Sequence, residues 1–306
     1  MRIFVTGASG FIGSAVAQAL ARAGHRVRGL VRDEVKARAL AAREIEPVLG
    51  TMEDPRSLLA RSADCEVLVH CAAEYSARGM ELEQRTIAAL LGEAGTARAS
   101  RLFLYTSGVW VYGDTGSDAV DESSPLRPAP LSAARVGHEQ QVLEADRGVL
   151  RTLVIRPGCV FGGAGSLTGE WFSSATQEGA ARIVGDGANR WAMVHLQDLA
   201  DLYLRAAESG LRAEVINAVD GSRFSVLECA RAASLAAGAG GKVQSLTQEE
   251  GRARYGPMAQ CLAFDQHVDS GKAQRLLGWR PRHQGFVDGA VRYHRAWQAA
   301  RAGAVP

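Results

Sequence analysis

Met1-Arg2-Ile3-Phe4-Val5-Thr6-Gly7-Ala8-Ser9-Gly10-Phe11-Ile12-Gly13 is the stretch on which the fold turns. Ile3, Phe4 and Val5 make a short apolar run of the kind a buried parallel strand needs. Beyond the turn, Ile12, Val16, Ala19, Leu20 and Ala23 recur at the spacing of one helical face. Gly7, Gly10 and Gly13 stand between strand and helix with separable jobs. The first allows the tight turn, the second lets backbone approach a pyrophosphate, and the third lets helix pack closely on strand. Backbone N–H groups and the positive end of the helix dipole then face the phosphates, so Gly7, Ser9, Gly10, Phe11, Ile12 and Gly13 are the candidate cradle.

The spacing is G-x-x-G-x-x-G, not the commoner G-x-G-x-x-G. With Thr6 in front, it resembles the turn of the short-chain dehydrogenase/reductase superfamily. A glycine-rich turn with no ligand is the plain alternative, against which strand, turn and helix occur in the required order. The resemblance implies an α/β fold: a Rossmann-type doubly wound parallel sheet with a smaller C-terminal substrate-binding lobe. The expected division is 1–166 for the dinucleotide-binding domain, with 191–217 returning to it, and 167–190 plus 218–306 for the lobe.

Composition agrees with that class. A chain of 306 residues buries a large core, and 47% hydrophobic residues is ordinary for a globular protein. A net charge of +2 gives no reason to expect nucleic acid or an acidic membrane surface. The chain opens directly on a strand, so no signal peptide is expected, and no apolar run is long enough to span a bilayer. Cys65, Cys71, Cys159, Cys229 and Cys261 are scattered and never form C-x-x-C, which reads as reduced cytoplasmic thiols without metal or disulfide framework. The expected partners are a small-molecule substrate and, as an open alternative, a second copy of the chain in a homodimer.

The second strand, Arg26 to Val31, ends in Arg32-Asp33, where the adenosine ribose lies in such folds. An acid there grips the 2′-hydroxyl, whereas an arginine pairs with a 2′-phosphate. The stretch Val27-Arg28-Gly29-Leu30-Val31-Arg32-Asp33 resembles NADPH-using reductases of the dihydroflavonol type, which favours NADP(H) over NAD(H) through Arg32. The alternative is a solvated Arg32 with Asp33 on the ribose. After a third strand, Ile45 to Leu49, relatives carry Asp-Leu against the adenine. Thr51-Met52 stands here, offering a hydroxyl and a cover for the ring face. A fourth strand, Glu66 to His70, leads into Cys71-Ala72-Ala73, small residues that let backbone run close to the cofactor. His70 reads as structural rather than catalytic.

A helix from about Met80 to Ala97 precedes a fifth strand, Arg101 to Tyr105. Thr106-Ser107-Gly108-Val109-Trp110-Val111-Tyr112-Gly113 resembles the Ser-x-x-x-Val-Tyr-Gly segment of extended members of the superfamily. The family's catalytic hydroxyl falls on Gly108, with Ser107 next door. The catalytic helix should open with Tyr-x-x-x-Lys, the tyrosine moving a proton and the lysine lowering its pKa and binding ribose. The matching positions in the helix from Pro130 to about Ala145 are Leu131 and Arg135. Leu131 moves no proton, while Arg135 keeps a charge for the ribose but stays protonated. The family's further asparagine matches Leu82.

Farther on, Arg156-Pro157-Gly158-Cys159-Val160-Phe161-Gly162 resembles the family's Arg-Pro-x-x-Val-Tyr-Gly; Pro157 and Val160 from it, and Thr106 after the fifth strand, join the candidate cofactor contacts. Trp171 and Phe172, after a glycine-rich approach, read either as a lid over an apolar substrate or as packed aromatics. Trp191 to Ala200 resembles a Val-His-x-x-Asp segment, with His195 structural and Asp198 a cap or first-turn acid. Ser225 and Glu228 form a capping-box pattern, and Leu276-Leu277-Gly278-Trp279-Arg280-Pro281 matches the signature that closes extended members.

Three functions follow. The first is an atypical NAD(P)H-dependent reductase of a small, apolar carbonyl or enone metabolite. Its proton would come from Ser107 or Tyr112 before Tyr75, His138 or water. The second is an NADP-binding sensor without turnover, and the third a nucleotide-sugar epimerase or dehydratase.

Overall fold

The structure, a computed structural model, describes residues 1–74, 78–95 and 99–302. Strand and helix alternate first as β1 (Arg2–Thr6), α1 (Phe11–Arg22), β2 (Arg26–Val31), α2 (Glu34–Ala41), β3 (Glu46–Leu49), α3 (Pro55–Ser62), β4 (Val67–His70), α4 (Gly79–Gly95) and β5 (Arg101–Thr106). Then follow β6 (Ala119–Val120), α5 (Pro130–Glu144), β7 (Leu150–Pro157), β8 (Cys159–Phe161), α6 (Thr168–Glu178), β9 (Ala181–Val184), β10 (Met193–His195), α7 (Leu196–Glu208) and β11 (Glu214–Ala218). The chain closes with α8 (Val226–Ala236), β12 (Val243–Leu246), α9 (Gln248–Tyr255), α10 (Met258–Leu262), β13 (His267–Val268), α11 (Gly271–Leu277) and α12 (Ala290–Ala302).

Seven strands form one sheet in the order β11-β7-β5-β4-β1-β2-β3, and each pairing from β3 across to β7 is parallel. The Ile3-Phe4-Val5 run is fully buried: strands pair with β1 on both edges, and in a parallel sheet of this kind helices cover the faces. Strand order reverses between β1 and β4, and doubly wound sheets open a ligand crevice at such a point, at the carboxyl ends of the strands. Among the described residues no helix is long and apolar enough to cross a membrane.

Two compact units emerge, 1–107 with 134–156 and 200–216, and 108–133 with 157–199 and 217–306. Residues 108–133, 157–166 and 191–199 thus group with the second unit rather than the first, where the sequence placed them. Short parallel pairs explain the difference: β8 pairs with β10, and β6 with β13, holding these segments inside the second unit.

The core of the first unit gathers Phe4, Leu68, Ile87, Leu90, Phe103 and Val154. That of the second gathers Phe161, Trp171, Phe172, Trp191, Phe286 and Tyr293. Trp171 and Phe172 are each 2% exposed, so they are packed aromatics and not a lid. The Ser225–Glu228 capping box forms as expected, and Gly278 ends α11 in the left-handed region at φ 59°.

Candidate functional site

The glycine turn is built from contacts that leave no room for side chains. Gly7 has φ +69°, and a Cβ on it would lie 2.7 Å from the Ala72 backbone nitrogen at the end of β4. A Cβ on Gly13 would collide with the Gly7 carbonyl, so the third glycine does let α1 pack down on the turn. Gly10 differs. Its N–H donates to Gly7 O at 2.8 Å, and a Cβ there would meet only that oxygen, at 3.2 Å. Packing therefore demands glycine most strongly at 7 and 13, whereas at 10 a Cβ would be tight against one carbonyl only, and close approach of a ligand gives the further reason for glycine there.

That turn is one wall of a cavity of about 540 Å³ within the first unit. Gly7, Ser9, Gly10, Phe11, Ile12, Arg32, Thr51, Met52, Cys71, Ala72, Ala73, Thr106, Ser107 and Arg135 all line it. Gly13 stands behind the wall, and Pro157 and Val160 belong to the second unit, so these three are not in the lining. Leu30, Val31, Gly50, Glu53 and Glu74 line it too. They adjoin the strand ends read from the sequence, and that adjacency was the available signal. The cavity suits a dinucleotide: a glycine cradle at a helix N-terminus, the small residues Cys71-Ala72-Ala73 just after β4, and polar groups at both extremes.

At the β2 extreme the two candidate ribose residues part company. Asp33 caps α2, its Oδ1 accepting from the Lys36 N–H at 2.8 Å and its Oδ2 lying 3.2 Å from Lys36 Nζ. The backbone hydrogen bond from Lys36 holds its carboxyl below the usual range. Arg32 lines the cavity, is exposed, and makes no hydrogen bond or ion pair with a described residue.

At the β4–β5 extreme, Thr106 Oγ1 donates to Cys71 Sγ (3.2 Å) and is hydrogen-bonded to the Tyr203 hydroxyl (2.6 Å). Burial pushes the Cys71 thiol up to about 11, so it stays protonated. Ser107 Oγ is buried and has no partner among the described residues. Arg135 Nη1 donates to Thr106 O (3.1 Å), to Glu83 Oε1 (3.2 Å) and to the Tyr105 hydroxyl (3.3 Å). The Tyr105 hydroxyl itself donates to Glu83 Oε1 at 2.8 Å, and His138 Nδ1 lies 3.8 Å from that same oxygen. Burial raises the Glu83 carboxyl, but His138 and the Arg135 guanidinium outweigh it and hold the group at about 2. Sequence reasoning missed Glu83, the neighbour of Leu82; an acid among the inward-facing Leu82, Thr86, Ile87 and Leu90 was the signal. His70 is structural as expected, bonded through Nδ1 to Thr6 Oγ1 at 2.8 Å and lowered to about 4 by burial. Tyr75 lies outside the described residues.

In the second unit, Tyr112 is 2% exposed and its hydroxyl donates to Asn217 Oδ1 at 2.9 Å. Gly108 is not required by packing, since a Cβ there meets only Pro157 O at 3.8 Å. Leu131 is 38% exposed and supplies nothing titratable. Asp198 is a first-turn acid of α7, but it also clamps a distant loop: Oδ2 accepts from the N–H groups of Arg282 (3.0 Å) and His283 (2.9 Å) and from the His283 ring (3.1 Å). His195 stacks on His283 with ring centroids 3.7 Å apart. Together with Asp198 they are a candidate metal trio. With the Asp198 oxygen already accepting three hydrogens and the rings face to face, the trio reads as a structural clasp. A separate cavity of about 590 Å³ is walled by Leu167, Trp171, Trp191, Val226, Met258 and Leu262, with Glu170, Arg182 and Arg254 also lining it.

The strand order, the glycine cradle and the cavity along the strand ends define a dinucleotide-binding oxidoreductase fold. The model of the NAD dependent epimerase/dehydratase family matches residues 3–218, and the chain belongs to that family of NAD(P)-dependent enzymes, extended members of the short-chain dehydrogenase/reductase superfamily. It is 32% identical over 295 residues to the uncharacterized protein C2A9.02 of Schizosaccharomyces pombe, covering 92% of this chain and 96% of that one. It is 33% identical over 230 residues to the 4-hydroxy-2-methyl-3-oxo-4-farnesyl-3,4-dihydroquinoline-1-oxide ketoreductase of Stigmatella aurantiaca, covering 72% and 69% of the two. A double mutant of the dTDP-glucose 4,6-dehydratase DesIV of Streptomyces venezuelae, solved with NAD and DAU bound, shares the fold with a TM-score of 0.84 over 99% of this chain and 98% of that one, at 24% identity.

Proposed function

We propose that the protein is an NADPH-dependent reductase of a small, apolar carbonyl or enone metabolite. The observation that carries this reading is the cavity of the second unit, where Leu167, Val226, Met258, Leu262 and the stacked Trp171 and Trp191 form most of the wall beside Glu170, Arg182 and Arg254. The apolar part of these walls favours a ligand with an apolar body, because burying apolar surface contributes about 25 cal/mol per Å², while Glu170, Arg182 and Arg254 offer partners to a polar group on it. A relative named for a 3-oxo, farnesyl-bearing quinoline oxide supports the same class.

A bound reduced nicotinamide supplies the hydride, and the chain supplies position and a proton path. Gly7, Ser9, Gly10, Phe11 and Ile12 would hold the pyrophosphate, Arg32 the 2′-phosphate, Thr51 and Met52 the adenine, and Arg135 the far ribose. Cys71 and Tyr105 both keep their protons, so neither adds a negative charge at the β4–β5 end of the cofactor cavity. Burial is the first cause in each case. Reduction of a ketone delivers hydride to carbon and a proton to oxygen. Ser107, whose buried hydroxyl lines the cofactor cavity without a partner among the described residues, is the group from which we derive that proton, replenished from solvent.

The test is NADPH oxidation against a panel of apolar 3-oxo compounds and enones beside UDP- and dTDP-glucose. Turnover of the apolar compounds alone is the expected result. Turnover of the nucleotide sugars alone overturns the substrate class. Tight NADPH binding with no turnover of any compound favours a cofactor-binding sensor, the reading that Leu131 supports.

A further inference from the structure

We propose that Glu83 is a positioning residue of the cofactor site: from inside the first unit it aims the Arg135 guanidinium into the cavity, at the Thr106–Ser107 end, to hold the ribose of the nicotinamide half. The inference rests on the reading of that cavity as a dinucleotide site.

Arg135 has a long side chain which, left alone, would sample many rotamers over the cavity mouth. Here one nitrogen, Nη1, meets a carboxylate, a phenol and a backbone carbonyl at 3.1–3.3 Å, so that end of the fork is pinned. The side chain is still 18% exposed and lines the cavity, so the pinning fixes which face of the guanidinium a ligand meets. A guanidinium is planar, and anchoring one nitrogen sets the directions of its remaining donors.

Glu83 is the pivot of this arrangement. It is 1% exposed and sits on α4 among Leu82, Thr86, Ile87 and Leu90. Stability alone does not call for a carboxylate there, since well-packed apolar residues commonly equal or exceed a buried ion pair. What the carboxylate does provide is a fixed negative point at which Tyr105, Arg135 and His138 converge. Tyr105 stacks on His70 at the end of β4, which ties the network to the strands that carry the cavity floor.

The experiment titrates Glu83→Gln, Arg135→Ala and the double variant with NADPH and, separately, with adenosine 2′,5′-bisphosphate. The second ligand reaches the Arg32 end of the cavity but carries no nicotinamide ribose. Glu83→Gln is expected to weaken NADPH about tenfold, the loss of roughly one charge-assisted hydrogen bond, and to leave the bisphosphate unchanged. The double variant should be no weaker than Arg135→Ala, because Glu83 acts only through Arg135. Should Glu83→Gln not fold, Glu83→Asp keeps the charge and withdraws it by one methylene, with the same expected split. Equal losses for both ligands, no loss of NADPH, or fully additive losses in the double variant would overturn the proposal. Failure of the wild-type protein to bind NADPH or NADH overturns the dinucleotide reading, and the role of Glu83 with it.

Discussion

Arg32→Ala separates the two dinucleotides more sharply than any other single change in the cavity. Arg32 is exposed and makes no hydrogen bond or ion pair with a described residue, so its removal should leave stability within about 0.5 kcal/mol of wild type. A charge-assisted bond to a 2′-phosphate is worth about 1.5–3 kcal/mol. Solvent screening at an exposed site puts the loss at the low end, near 1.5 kcal/mol, or about tenfold in the NADPH dissociation constant. NADH, whose ribose carries only a hydroxyl, should lose less than threefold. No new preference for NADH should appear, because Asp33 stays committed to the Lys36 N–H and ammonium. Calorimetric titration of both cofactors at about 0.1 M and about 1 M salt reads the effect. The wild-type preference should shrink at the higher salt, where the Debye length falls to about 3 Å. Equal losses for NADPH and NADH in the variant would refute the reasoning.

Gly10→Val should keep the fold and abolish NADPH binding, while Gly13→Ala should cost about 1–3 kcal/mol or more of stability by driving a methyl into the Gly7 carbonyl; melting curves and titrations of both variants test the contrast. Ser107→Ala should cut turnover at saturating NADPH about 100-fold or more. Tyr112→Phe should instead cost about 1 kcal/mol of stability with turnover largely kept, since its hydroxyl serves Asn217, and the reverse outcome would reassign the proton donor. Burial lowers His70 from its ordinary 6.5 to about 4, so the unfolded chain takes up a proton that the folded one refuses. The stability this contributes is complete above about pH 6.5 and is lost as pH falls towards 4, by about 3 kcal/mol; denaturant melts across that range should show the loss, and it should vanish in His70→Gln.

Much of this protein is legible in its order of residues, because local rules act over short spans. The buried run Ile3-Phe4-Val5, the glycine turn and the alternation that follows are local periodicities, and the predicted strands at 26–31 and 101–105 match the observed ones to within a residue. The same locality made the cavity readable, since most of its contributors stand at or just after the ends of β1 to β5, with Arg135 on α5 the main exception. Contacts between distant segments carried no such signal. Nothing local shows that β8 and β6 find partners in β10 and β13, which moved the unit boundaries. Nor does the sequence show that Asp198 would be drawn to a loop more than eighty residues away. Glu83 and Arg135 are 52 positions apart, and only packing α4 and α5 with β5 brings their charges together. Residue type determined what each side chain is able to do; the low-dielectric neighbourhood built by tertiary packing decided which partner it meets, and so which role is left for it.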